Sequence, residues 1–116
     1  MNNKVITIAA AVILNEHNQT LLVRKKGTDF FMHVGGKLEL NESPETALSR
    51  EIFEEIGCEI EIVSYIGKYE TLAANELNHS LVSYLYQAKL KNEPKVQTQL
   101  AEMRWIYLNN SGVQLA

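Results

Sequence analysis

The stretch from Ser43 to Gly57 constrains the fold more than any other part of the chain. Leu48, Ile52 and Ile56 recur there at i, i+4 and i+8, the spacing that stacks side chains on one helical stripe. Ser43 is a good N-cap, because its hydroxyl accepts from a free backbone N–H, and Pro44 suits the first helical position. Gly57 supplies the left-handed residue that ends a helix. The spacing predicts a helix over 44–56. Around it the pattern has a period of two. Val5 to Leu14 and Leu21 to Val23 flank the polar turn Asn15-Glu16-His17-Asn18-Gln19 and read as a hairpin. Phe30 to Val34 is a short strand that runs into a Gly35-Gly36 loop. Strands are expected again from Glu59 to about Thr71, from His79 to Leu90, and from Glu102 to Leu108. Ala73 to Asn78 reads as a loop, and Asn92-Glu93-Pro94 breaks the pattern. One strong helix set among strands predicts an α+β chain, an α/β/α sandwich around a mixed sheet.

At 116 residues the chain has room for one domain, which can bury roughly two thirds of its unfolded surface and stand without staples. No repeat, low-complexity tract or linker divides it, so 1–116 is read as a single domain. The net charge of -3, from 14 acidic and 11 basic residues, excludes the overall basic footprint of a protein that tracks a nucleic-acid polymer. Lys4 and the apolar run after it have the superficial make-up of a signal peptide. The run falls short of the roughly 20 residues that span a membrane, and turn chemistry follows it rather than a cleavage site. The lone Cys58 can form no internal disulfide and no structural zinc site, which points to a reducing, cytoplasmic setting.

The acid is concentrated. Eight of the 14 carboxylates (Glu39, Glu42, Glu45, Glu51, Glu54, Glu55, Glu59 and Glu61) lie between positions 39 and 61, answered there only by Arg50. An acidic stretch on a short helix is most often a solvated face. The spacing argues for more. Glu51 with Glu54 and Glu51 with Glu55 stand at i, i+3 and i, i+4, so their side chains converge. Such like pairs cost about 0.2–0.5 kcal/mol each even in water. With the Gly35-Gly36 backbone, Glu39 and Glu42 nearby, the group offers hard oxygen ligands suited to Mg²⁺ or Mn²⁺.

From Gly36, five residues lead to Glu42, and seven more lead to Arg50-Glu51-Ile52. Glu54-Glu55 follows after one residue, and Gly57-Cys58 after one more. This arrangement resembles the Nudix box, G-x5-E-x7-R-E-U-x-E-E-x-G-U with U aliphatic. Over 23 positions it departs only at Cys58, which behaves as a small hydrophobe when buried. Asn41 stands where many members of the family carry glycine, and it tolerates a left-handed turn. Weaker likeness extends to Ala9–Arg24 as the family's early hairpin, with Leu21-Leu22-Val23-Arg24-Lys25 at its end. It includes the approach Phe31-Met32-His33-Val34 and the late strand Glu102-Met103-Arg104-Trp105-Ile106. The resemblance covers about positions 5–108. The C-terminal helix usual in the family has no clear counterpart in the Gly/Asn-broken segment 109–116.

The resemblance implies the Nudix fold and a pyrophosphohydrolase. Such an enzyme lets water attack phosphorus in a nucleoside diphosphate linked to another moiety: a nucleoside triphosphate, a nucleotide sugar such as ADP-ribose, or a dinucleotide. It implies Mg²⁺, with Mn²⁺ able to substitute, held by Glu51, Glu54, Glu55 and the Gly36 carbonyl. Glu51 is open to a second role as the base for the attacking water. Arg50 is expected to face away from the centre of the ligands and to orient carboxylates, with Glu42 as its partner. Glu102 is a weaker candidate ligand, and Arg24 and Lys37, with Lys25 and Lys26, are weaker phosphate holders. Phe30, Phe31, Tyr69, Tyr84 and Tyr86 are base-stacking candidates, though aromatics at strand spacing are more often core. The expected partner is a small nucleotide, with no nucleic-acid polymer and no membrane, and the chain is read as a monomer or homodimer. A nucleotide-sensing module on the same fold is the alternative, which the complete set of box carboxylates disfavours. Isoprenoid diphosphate isomerisation would need catalytic residues that the sequence does not supply.

Overall fold

A computed structural model of the protein describes residues 4–72, 79–97 and 99–107. Six strands and one helix follow in the order β1 (Lys4–Ile13), β2 (Thr20–Lys25), β3 (Met32–Lys37), α1 (Pro44–Ile56), β4 (Ile60–Leu72), β5 (His79–Leu90) and β6 (Leu100–Ile106). The strands form a sheet in the order β4-β5-β1-β3-β2-β6. β1 and β5 run parallel and every other pairing is antiparallel, so the sheet is mixed, as the α+β reading requires.

The helix forms where its caps dictate. Ser43 Oγ accepts from the Thr46 N–H at 3.2 Å, and Gly57, at φ 67, donates its N–H to the Phe53 carbonyl at 2.9 Å. Leu48, Ile52 and Ile56 are fully buried, worth about 1.5–3 kcal/mol each in apolar area alone. They pack onto β3 and β1, where Ala9, Ala11 and Val34 present small buried side chains to the helix. Leu21, Val23, Tyr86, Ala88 and Leu100 complete the same core.

Two expectations are corrected. β1 and β2 do reverse through the polar turn, where Asn15 Oδ1 accepts from the His17 and Gln19 N–H groups, but they pair only at the bridge Leu14↔Thr20. β3 enters between them, pairing through Met32 and His33 with β2 and through Val34 to Lys37 with β1. Gly35 and Gly36 are therefore strand rather than loop. The reason is steric, since a Cβ at Gly35 would collide with the Ala9 carbonyl, so only glycine lets β3 lie this close against β1.

Smaller differences concern strand ends. β6 begins at Leu100, two residues earlier than its apolar pattern indicated, because buried Leu100 pairs with Lys25. β4 is one strand with irregular register between Ile62 and Ser64 and between Tyr65 and Gly67. The expected loop at 73–78 and the segment 109–116, where a C-terminal helix was in question, lie outside the described residues. Among the described residues, no helix is long and apolar enough to cross a membrane.

Candidate active site

β3 and the second half of α1 bring the box residues together. Glu51 lies along the backbone of Gly36, where a Cβ would collide with its carboxylate. Glu55 turns inward to become one of two buried polar residues among those described, 3% exposed, and its Oε1 accepts from the Gly35 N–H at 3.2 Å. Glu54 stays on the rim, with its side chain 56% exposed against 20% for Glu51. The glycine pair therefore provides a donor for one carboxylate and clearance for another. The sequence reading placed Gly35 beside the ligands only as backbone, not as the donor to Glu55. The double glycine was the available signal, since a strand that carries one needs a reason for close approach.

Arg50 does not face away from this group. Its Nε and Nη2 grip both oxygens of Glu42 at 2.7 and 2.9 Å, the fork geometry that suits guanidinium to carboxylate. Its Nη1 reaches Glu51 at 3.0 Å and Glu54 at 3.3 Å, and Nη2 also donates to the Lys37 carbonyl at 3.1 Å. Helical spacing alone had turned the side chain outward. The surrounding carboxylates bend it back, because a cation amid four acids lowers their mutual repulsion. Glu42 in addition accepts from the Glu39 N–H at 2.9 Å across a turn that Asn41 makes at φ 64. The Arg50 hydrogen bonds, with that of the Glu39 N–H, hold the Glu42 carboxyl down to about 2, and the same contacts raise Arg50 above its usual range.

Glu55 has the opposite fate. Burial pushes it up to about 7, with Glu51 and Glu54 adding to the rise. The Gly35 N–H and the charge of Lys25 offset only part of this. Among the described residues, no three His, Cys, Asp or Glu side chains are already gathered as a metal cage. The convergence read from the helical wheel is thus only partial, because Glu51 and Glu54 share the Arg50 Nη1 donor while Glu55 turns away to the Gly35 N–H. The donor set still fits a hard divalent cation. It offers carboxylate oxygens and a strand carbonyl, and it contains a buried carboxylate whose charge has no full counterion.

Glu102 and Arg24 are not brought to this group. They pair across β2 and β6, on the face that strand alternation turns away from the buried Leu21 and Val23. Arg24 Nε donates to Glu102 Oε1 at 3.0 Å and Arg104 Nε to Oε2 at 2.8 Å, so both oxygens are engaged and the carboxyl is held below its usual range. Arg24 is further committed to the Thr28 carbonyl at 2.7 Å. Lys37 is exposed at the end of β3. Of the stacking candidates, Phe31 and Tyr86 are buried and Tyr84 packs against the core. Tyr69 is exposed and Phe30 is half-buried.

A mixed sheet with one capped helix, and a box whose glycines, arginine and glutamates contact one another, together define a Nudix domain. The sequence matches the NUDIX domain family over residues 5–111, and the chain belongs to the Nudix hydrolase family. It is 35% identical to an 8-oxo-dGTP diphosphatase of Proteus vulgaris over 98 residues, covering 80% of this chain and 85% of that protein. It is 44% identical to an 8-oxo-dGTP diphosphatase of Haemophilus influenzae over 61 residues, 49% of this chain but only 45% of that protein's length. A MutT NUDIX hydrolase from Burkholderia pseudomallei shares the fold at a TM-score of 0.85 and 24% identity, covering 97% of this chain and 91% of its own.

Proposed function

We propose that the protein is a divalent-metal-dependent pyrophosphohydrolase. It cleaves a phosphoric anhydride bond in a nucleoside diphosphate linked to another moiety, and a nucleoside triphosphate is the first substrate to test. The observation that carries this reading is the pairing of β3 with α1. Gly35 donates to buried Glu55, Gly36 leaves room for Glu51, and Arg50 ties Glu42, Glu51 and Glu54 into one group. Glu51, Glu54, Glu55 and the Gly36 carbonyl would hold Mg²⁺ or Mn²⁺. The cation would supply charge neutralisation for the anionic substrate and a more acidic bound water.

The chain's own residues do the rest. Arg50 holds the carboxylates in place, with Glu42 fixing the guanidinium in turn. Glu51, close to the Gly36 backbone and partly exposed, is the candidate base that takes a proton from the attacking water. The bond between the attacked phosphorus and the bridging oxygen breaks, and a nucleoside triphosphate leaves as monophosphate and pyrophosphate. The names of the two 8-oxo-dGTP diphosphatases favour an oxidised purine nucleoside triphosphate within this class.

A panel of nucleoside triphosphates, including 8-oxo-dGTP, with nucleotide sugars and dinucleotides, tests the reading through product identification. Release of pyrophosphate from a triphosphate that stops with EDTA and returns with Mg²⁺ or Mn²⁺ is the expected result. Turnover indifferent to thorough chelation would overturn the metal assignment. Tight binding of a nucleotide with no turnover of any panel member would favour a sensing module instead.

A further inference from the structure

We propose that the outer edge of β4 is a dimer interface, where a second copy of this chain adds its own β4 antiparallel about a two-fold axis through Tyr69. β4 and β6 are the two edges of the sheet, and among the described residues each pairs on one side only. The two edges are finished differently. β6 has seven residues, and its Glu102 and Arg104 are engaged with each other. β4 has 13 residues and exposes Val63, Tyr65, Ile66 and Tyr69. An edge of that length presents a row of free N–H and C=O groups, and aromatic and β-branched side chains beside them favour another strand.

Only the second half of this edge is regular. The register against β5 slips between Ile62 and Ser64 and again between Tyr65 and Gly67, irregularities that protect the first half from pairing. From Gly67 to Leu72 each residue has one partner on β5. Within this half Gly67, Tyr69 and Thr71 share one face of the sheet, and Lys68 and Glu70 share the other with Tyr84 and Val82. A two-fold antiparallel pairing sets residues of the same face opposite each other, so its axis passes through a residue and not between two. Through Lys68 it would oppose two ammoniums, and through Glu70 two carboxylates. Through Gly67 or Thr71 neither charge meets an opposite one. Through Tyr69 it sets Lys68 of each copy opposite Glu70 of the other, twice, with Gly67 opposite Thr71 and Tyr69 opposite itself.

The side chains suit that register. Lys68 Nζ and Glu70 Oε1 stand 3.9 Å apart along their own strand and both are exposed, so neither is tightly committed within the chain. Lys68 Nζ also lies 5.9 Å from the centre of the Tyr84 ring, which steadies the ammonium on the face it shares with Glu70. The Tyr69 ring leans over Gly67, where a Cβ would come within 3.3 Å of its hydroxyl. Glycine thus lets the ring lie along its own strand, and the two-fold carries the two rings toward opposite ends. The backbones are then free to approach to the ordinary strand spacing of about 4.8 Å. β5 and β1 separate this edge from β3, so the interface stands apart from the box carboxylates and does not depend on the hydrolase reading.

Sedimentation equilibrium of the full chain across a dilution series tests this, and the wild type is expected to behave as a concentration-dependent dimer. Lys68→Glu and Glu70→Lys each set like charges opposite across the axis and should raise the dimer Kd at least about tenfold. The double variant Lys68→Glu/Glu70→Lys should recover the wild-type Kd, and an equal mixture of the two single variants should form a mixed dimer. Tyr69→Cys brings two thiols together at the axis and should cross-link on mild oxidation. Thr71→Cys, set opposite Gly67, should not, and the wild-type chain with its buried Cys58 is the blank. A wild-type chain that is monomeric throughout the series would overturn the proposal. So would a dimer indifferent to both single charge changes, or one that cross-links as readily through Thr71→Cys as through Tyr69→Cys.

Discussion

Two clusters in this molecule combine glutamate with arginine, and they do opposite things with the charge. On β2 and β6, Glu102 has each oxygen taken by a different arginine, and Arg104 also lies over the Phe31 ring at 5.1 Å. That carboxylate is held below its ordinary range and its capacity is used up in fastening two strands. Between β3 and α1, Arg50 satisfies Glu42 in the same way, but Glu55 is left buried with one backbone N–H and a lysine's field. Burial without a matched counterion keeps a carboxylate ready for a cation, whereas pairing with guanidinium makes it a strut. Sequence position alone does not distinguish the two.

The largest expected effect follows from that contrast. If Glu54 and Glu55 hold the cation as proposed, Glu54→Gln and Glu55→Gln should each lower Mg²⁺-dependent turnover at least about a hundredfold with the fold retained. Glu102→Gln should leave kcat within about threefold. Steady-state kinetics with circular dichroism as the control measures all three, and full activity in both box variants would collapse the distinction between the clusters.

Stability should carry the next signature. Glu55 sits at about 7 in the metal-free fold against about 4.5 when unfolded. Below pH 4.5 both states hold the proton, and nothing is lost. Between 4.5 and 7 the unfolded chain gives it up first, so stability falls as pH rises. Above 7 the penalty is complete, on the order of 3 kcal/mol. Urea titrations in EDTA should show this decline across pH 4.5–7, Glu55→Gln should flatten it, and Mg²⁺ should oppose it at pH 8. A metal-free protein whose stability holds constant over that window would mean that Glu55 is better compensated than its surroundings indicate.

Much of this was legible in the residues. Ser43, Pro44 and Gly57 specify the helix locally, and the spacing of Leu48, Ile52 and Ile56 specifies its buried face, so α1 followed from sequence. The box gave the grouping of Gly36, Glu42, Arg50, Glu51, Glu54 and Glu55 through its resemblance to a family. What eluded the sequence was set by contacts between distant segments. The entry of β3 between β1 and β2 depends on the fit of Gly35 against Ala9, 26 positions earlier in the chain. The direction of Arg50 depends on which acids surround it in space. Glu102 looked free because its partner Arg24 lies 78 residues away, joined to it only when β2 and β6 pair.

The smallest effects separate the two clusters by their arginines. Arg50 is about three-quarters buried, with its side chain 24% exposed, and it holds Glu42, whose side chain is 10% exposed, whereas Arg104 is 52% exposed. Removing Arg50 leaves Glu42 without its main donor, so Arg50→Met should cost about 1.5–3 kcal/mol in urea unfolding, the range for hydrogen bonds to charged groups. Arg104→Met loses a solvated pair and should cost less than about 1 kcal/mol. Their pH behaviour should differ as well. The Glu42 carboxyl is depressed to about 2, so its bond to Arg50 supports the fold fully above about 4.5 and is lost as pH falls through 4.5 toward 2. Arg50→Met should therefore weaken the protein at pH 6, with the deficit shrinking as pH falls toward 2, where protonation of Glu42 takes the charged bond from the wild type as well. Equal costs for the two arginines, or an Arg50→Met deficit that persists undiminished in acid, would show that the site's arginine acts through packing of its stem rather than through Glu42.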